Sequence, residues 1–198
     1  MWWYYIARFF TRILMKVFFG YKVIGEENIP EGTGFIVCSN HKSAWDVIVS
    51  GASYHNPIAF MAKKELFKNK LAGYFLKKLN AFPISRGAGD LSAIKNSIKL
   101  LKEGHVLNIY PEGTRVRDGK VHEYKHGAAM IAATAGVPIL PCAICGEYKW
   151  RGKVRFVVGT PIYLDKYIGR KLSNEELNEI MASVVDKVDL LKKEGETA

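Results

Sequence analysis

The sequence predicts a single α/β domain: a mixed, mostly parallel sheet flanked by helices, with an amphipathic interfacial helix at the N-terminus. Three observations lead there. Short apolar runs at 34–38, 58–62, 105–110 and 137–144 recur along the chain, bounded by Gly and Pro, which is how buried strands read. Stretches of helical periodicity separate them, as βαβ crossovers require. The 198 residues, 48% hydrophobic and 24% charged, suffice for one core, and no repeat, low-complexity tract or long linker divides them.

Composition narrows the partners. Twenty-nine Lys and Arg face 19 Asp and Glu, a formal charge of +10. Residues 171–198 hold seven acids and four bases, so residues 1–170 carry +13. Such a surplus suits an anionic membrane, a polyanion or a phosphorylated substrate. Cys38, Cys142 and Cys145 make an odd count beside apolar runs, which favours buried reduced thiols over a disulfide framework.

Residues 1–19 hold eight aromatic residues, and their only charges are Arg8, Arg12 and Lys16, spaced by four. A helix of this length is roughly 28 Å long. Spanning a bilayer would place Arg12 near its centre, at a cost of about 3 kcal/mol or more. Lying in the interface avoids that: Trp2, Trp3 and the other aromatics enter the acyl boundary, and the basic stripe meets anionic headgroups. The charges run through the apolar region instead of preceding it, unlike a signal peptide. The alternative is a core-packed helix with a solvated stripe.

A short strand near 21–24 and a Pro-Glu-Gly turn at 30–32 lead to the strand at 34–38. A turn follows, and Ser43 reads as the N-cap of a helix that ends near His55-Asn56-Pro57, with His55 as a terminal cap. After the strand at 58–62, residues 64–79 read as one helix, with Phe67, Leu71, Phe75 and Leu79 every fourth position and lysines elsewhere. Its lysines read as a solvated face, or the helix is a second membrane-facing one. A strand at 81–84 ends in Ser85-Arg86-Gly87. Asp90 or Ser92 caps a helix to Lys102, stopped by Gly104. The strand at 105–110 opens into Pro111-Glu112-Gly113-Thr114-Arg115, a turn that reads either as an anion site or as a β-turn with solvated arginines. A helix over 125–135 precedes the strand at 137–144, whose prolines point to an edge or pocket wall. A strand at 154–158 and a helix from Ser173 complete the chain.

Chemistry concentrates in Asn40-His41-Lys42-Ser43-Ala44-Trp45-Asp46. His41 sits in a strand-to-helix turn and Asp46 in the first helical turn, so the ring can turn back onto the carboxylate. A carboxylate on one ring nitrogen fixes the tautomer and leaves the other as a general base. The alternative is an incidental histidine beside a cap.

Four stretches then line up in order: His41 to Asp46, 82–87 with Arg86, Glu112-Gly113-Thr114-Arg115, and the proline-bearing run 137–144. Together they resemble the glycerophosphate acyltransferases, closest to the bacterial 1-acylglycerol-3-phosphate acyltransferases. Val116 departs from the serine many relatives carry there, Pro83 and Ser85 are one variant of a variable block, and the N-terminal region is short. The resemblance implies transfer of a fatty acyl group from a thioester, acyl-CoA or acyl carrier protein, to the free hydroxyl of 1-acylglycerol 3-phosphate, giving phosphatidic acid for phospholipid synthesis. It implies His41 and Asp46 as the catalytic pair. It places Arg86, Glu112, Gly113, Thr114 and Arg115 on the acceptor's glycerol phosphate, Glu112 binding a hydroxyl or positioning an arginine. The reaction needs no cofactor and no metal. Residues 1–19 would be the membrane-interface helix and 20–198 the acyltransferase domain, on the cytoplasmic face of the cell membrane as a peripheral or monotopic protein. Glycerol 3-phosphate or another lysophospholipid is the alternative acceptor. Two other classes stay open: a metal-dependent phosphohydrolase and a basic membrane-binding module without catalysis. No nucleic-acid motif appears.

Overall fold

A computed structural model describes residues 2–55, 57–85, 90–116 and 124–197. Seven strands, β1 (Lys22–Ile24), β2 (Phe35–Ser39), β3 (Ile58–Lys63), β4 (Ala81–Ile84), β5 (Val106–Ile109), β6 (Ile139–Cys145) and β7 (Arg155–Val158), form one sheet. Its order is β1-β7-β6-β2-β5-β3-β4. Every neighbouring pair is parallel except β6 and β7, so the expected mixed, mostly parallel sheet is what forms. The six α-helices are α1 (Trp2–Phe19), α2 (Trp45–Ser53), α3 (Lys70–Lys78), α4 (Leu91–Lys102), α5 (Gly127–Ala135) and α6 (Asn174–Thr197).

The helices divide between the two faces. Tyr4 and Met15 of α1, Val49 of α2 and Leu76 of α3 pack with Phe35, Val37 and Leu140 on one face. Leu101 of α4, Ala129 of α5 and Val184 of α6 pack with Ile36, Cys38 and Ile139 on the other. Alternation along β2 explains this, because odd and even positions point to opposite faces. The connection after β2 leaves through α2 on one face, and that after β5 leaves through α5 on the other. Neighbouring parallel strands whose connections part like this open a crevice at their C-terminal ends. Both motif turns, at His41 and at Glu112, lie there.

Several expectations are corrected. Residues 64–79 are not one helix. A 3-10 turn covers Lys64–Phe67, and Asn69 then starts α3, its side-chain oxygen accepting from Leu71 N and Ala72 N at 3.0 Å each. Strand β6 is interior, not an edge, despite Pro141. Pro141 uses its carbonyl alone, accepting from Gly159 N just past the end of β7. Helix α2 ends at Ser53 with Tyr54 as its C-cap, so His55 caps nothing. Asp90 caps α4 as expected, and Ser173 and Glu176 cap α6 reciprocally.

Helix α1 packs on the sheet through Tyr4 and Met15. Tyr4 donates to Gly51 O and accepts from Ile58 N. Its stripe of charge is turned inward: Arg8 donates to Tyr54 O, and Arg12 pairs with Glu26 at 3.2 Å. Arg8 and Arg12 thus have partners within the chain, while Lys16 is exposed. The outward arc of α1 is apolar, with Trp2, Phe9, Phe10 and Leu14 each more than half exposed. No helix among the described residues is long and apolar enough to cross a membrane. The three cysteines are free and buried.

Candidate active site

Strand β2 delivers Asn40 and His41 between β5 and β6. Asn40 clamps the exit: its Nδ2 donates to Ile144 O at 3.0 Å and its Oδ1 accepts Ile144 N at 2.7 Å. The chain then turns back so that His41 Nδ1 lies 2.8 Å from Asp46 Oδ2. Oδ2 also accepts the backbone N–H groups of Lys42 and Ser43, each at 2.7 Å. Asp46 therefore ties the turn that leads into the helix. Ala44 occupies the cap position without a side-chain bond, and Ser43 Oγ accepts only from Trp45 N at 3.3 Å.

Asp46 is fully buried, and the His41 side chain is 14% exposed. A carboxylate this deep needs donors on both oxygens. The second oxygen, Oδ1, accepts from the Tyr148 hydroxyl at 2.5 Å. Burial, and then the negative Asp46, push the Tyr148 pKa far up, so this hydroxyl keeps its proton. With Nδ1 held by the carboxylate, Nε2 is the ring nitrogen left for a substrate proton. The ring lies flat on Tyr110, centroids 4.0 Å apart and planes 13° apart. The Tyr110 hydroxyl is buried, as are the side chains of Ser39, Ser50 and Asn108, all on the α2 side by strand alternation and by the inward face of α2.

The turn after β5 supports the same histidine. Glu112 Oε2 accepts His41 N at 3.0 Å, and Val116 N donates to His41 O at 2.8 Å. Glu112 thus holds the histidine backbone, where the sequence had pointed to a hydroxyl or an arginine. Its burial raises its pKa to about 7, against the lowering pull of the His41 N–H bond and of Lys192. Gly113 donates to Tyr110 O at 2.9 Å and has φ 69°, a left-handed value that disfavours a side chain. Thr114 and Arg115 follow, both exposed. Arg86 and Arg117 lie outside the described residues. A cavity of about 310 Å³ opens beside Glu112 and Asn40, walled on the far side by Val188, Asp189 and Lys192 of α6.

The structure brings His41, Asp46 and Glu112 together and places Gly113, Thr114 and Arg115 on the adjoining turn. It adds Tyr148, Tyr110 and Asn40 as positioning residues. Nothing local in the sequence marks Tyr148, 102 residues from its partner. Among the described residues, no group of three or more His, Cys, Asp or Glu is placed to hold a metal ion.

The sheet is doubly wound, and the histidine–carboxylate pair sits at its crevice, where such folds place their sites. The family described as Acyltransferase matches residues 20–145, and the chain belongs to that family. It is 35% identical to the 1-acyl-sn-glycerol-3-phosphate acyltransferase of Bacillus subtilis, over 91% of this chain and 96% of that protein. It is 29% identical to a chloroplastic 1-acyl-sn-glycerol-3-phosphate acyltransferase of Brassica napus, over 91% of this chain, but it spans only 56% of that protein. The crystal structure of the 1-acyl-sn-glycerophosphate (LPA) acyltransferase from Thermotoga maritima superposes with a TM-score of 0.74 at 30% identity, covering 95% of this chain and 79% of that one.

Proposed function

We propose that the protein transfers a fatty acyl group from a water-soluble thioester, acyl-CoA or acyl carrier protein, to the free hydroxyl of 1-acylglycerol 3-phosphate. The observation that carries this reading is His41, with Nδ1 held by a buried carboxylate and Nε2 free to act. An alcohol is a poor nucleophile at neutral pH, so a base must take its proton as it attacks. His41 Nε2 takes that proton while the hydroxyl oxygen bonds to the thioester carbonyl carbon. The tetrahedral intermediate collapses, the carbon–sulfur bond breaks, and the thiolate or thiol leaves. Asp46 offsets the imidazolium charge, and the Tyr110 face beneath the ring favours a cation. No acyl-enzyme is needed. Asp46 already holds the N–H groups of Lys42 and Ser43, so those two do not serve the oxyanion.

Arg115 and Arg86, with Gly113 and Thr114, bind the acceptor phosphate in this reading, by the planar contacts that guanidinium makes with phosphate. Helix α1 lays its aromatic arc in the cytoplasmic face of the membrane, where the acceptor and product reside. An acceptor screen with both donor types, read by mass spectrometry, tests the reading. Wild-type protein should convert 1-acylglycerol 3-phosphate to phosphatidic acid, and His41→Ala should lose about 100- to 10,000-fold. Preference for glycerol 3-phosphate, or equal turnover by the alanine variant, would overturn it.

A further inference from the structure

The apolar row of α3 points outward. Leu71 is 69% exposed and Phe75 57%, while the buried side of this helix is Gly73, with Leu76 packed on the core. Leu71 and Phe75 stand one turn apart on a single crest. Trp45 and Ile48 of α2 are exposed on the same face of the sheet, and so is the aromatic arc of α1. On the opposite face, α4, α5 and α6 expose only Leu91 and Leu190 among their large apolar side chains. Monomeric soluble proteins rarely show broad apolar patches, and those they do show mark contact surfaces.

Charge identifies what the surface meets. Arg8 and Arg12 of α1 have partners within the chain and Lys16 is its exposed cation, so the α1 surface is mainly apolar. Segment 63–79 supplies the missing part. It holds six exposed lysines, Lys63, Lys64, Lys68, Lys70, Lys77 and Lys78, against one acid, Glu65. Lysines beside an apolar crest let the stems lie along the acyl boundary while the ammonium groups reach headgroups.

We propose that α3 and the turn before it form a second bilayer contact. The protein then docks on an anionic membrane by a whole face, with α1 giving the apolar part of binding and α3 the electrostatic part. This rests on the reading of the acceptor as a bilayer lipid. An acidic protein partner would need a compact basic patch, whereas apolar exposure here continues over three helices. That breadth matches a lipid plane. The dyad lies at the N-terminus of α2, between the two contacts in sequence and on the same face of the sheet, so docking by the face sets the dyad over the headgroups.

Site-directed nitroxides test this, because the three native cysteines are buried and an added exposed cysteine labels selectively. Labels go at Leu71→Cys on α3 and at Leu190→Cys on α6 as the control. Vesicles of phosphatidylglycerol with phosphatidylcholine should raise oxygen access and lower nickel-chelate access at position 71, with no change at 190. The double variant Lys77→Gln/Lys78→Gln should bind those vesicles about 30-fold more weakly, bind pure phosphatidylcholine unchanged, and turn over a short water-soluble acceptor normally. A label at 71 that stays in water while the protein floats overturns the proposal, as does unchanged flotation of the double variant. Weakened binding of an acidic carrier protein with unchanged vesicle binding would assign α3 to a protein partner, which also overturns it. Insertion of α3 without turnover of the short acceptor would strike the catalytic reading and leave the surface standing.

Discussion

Asparagine at position 46 separates two things that Asp46 does at once. Its Oδ2 accepts from His41 Nδ1, Lys42 N and Ser43 N at 2.8, 2.7 and 2.7 Å, and its Oδ1 accepts from Tyr148 at 2.5 Å. In Asp46→Asn the amide can sit only one way. Its NH₂ cannot face three donors, so the carbonyl oxygen takes that place and the NH₂ points at Tyr148, whose hydroxyl oxygen turns to accept. The turn and the histidine tautomer survive, and the negative charge is lost. A charge-assisted hydrogen bond contributes about 1.5–3 kcal/mol, so kcat should fall roughly 10- to 150-fold. KM for the acceptor should hold, because the charge acts on the imidazolium that forms in the transition state. The assay is thiol release from an acyl thioester at saturating acceptor, beside circular dichroism. A kcat within about threefold of wild type would mean that the charge does nothing. A loss as large as that of His41→Ala would mean that the ring is misplaced, and either result refutes the argument.

Three further outcomes follow from the same geometry. Tyr148→Phe leaves Oδ1 of a fully buried carboxylate without its donor, which costs about 1–3 kcal/mol and should lower Tm by roughly 2–10 °C; an unchanged Tm in calorimetry rejects Tyr148 as a support. Glu112 has a folded pKa near 7 against an ordinary 4.5, so the folded state holds its proton more tightly, and this contribution to stability is full below about pH 4.5 and lost as pH rises through 7. Denaturant titrations should show that decline in wild type and not in Glu112→Gln, and parallel curves would count against it. Gly195 of α6 has no room for a methyl, since a Cβ would meet Cys145 Sγ at 2.5 Å and Val157 Cγ2 at 2.8 Å. Overpacking of about 1–3 kcal/mol should outweigh the roughly 1 kcal/mol of helix propensity gained, so Gly195→Ala should melt lower, and a rise would refute the close approach.

Much of this architecture was legible because strands and caps leave local marks. The apolar runs became β2, β3, β5 and β6, Asp90 capped α4, and the His41–Asp46 pairing followed from a turn beside a helix start. What stayed hidden was direction and distance. A period of four located the apolar crest of α3 but could not say whether the crest met protein or lipid, and it faces out. The same spacing located Arg8 and Arg12 but not their partners, because Tyr54 and Glu26 reach them only through the tertiary fold. The break before α3 had a local sign in Asn69, whose amide favours a cap over a helix interior, yet the unbroken apolar row masked it. Pro141 suggested an edge because a missing N–H weakens a ladder, but the ladder with β7 begins one residue later. Tyr148 left no mark at all, since a side chain from a distant loop is a product of topology.

The sharing of Asp46 between turn and dyad has a consequence for how this chain comes alive. The carboxylate that ties the turn before α2 also draws the imidazole into place. The same bonds that tie the turn therefore aim the histidine. A side chain without an acceptor at position 46 would loosen the turn and release the imidazole together, while the isosteric amide keeps the turn and removes only the charge.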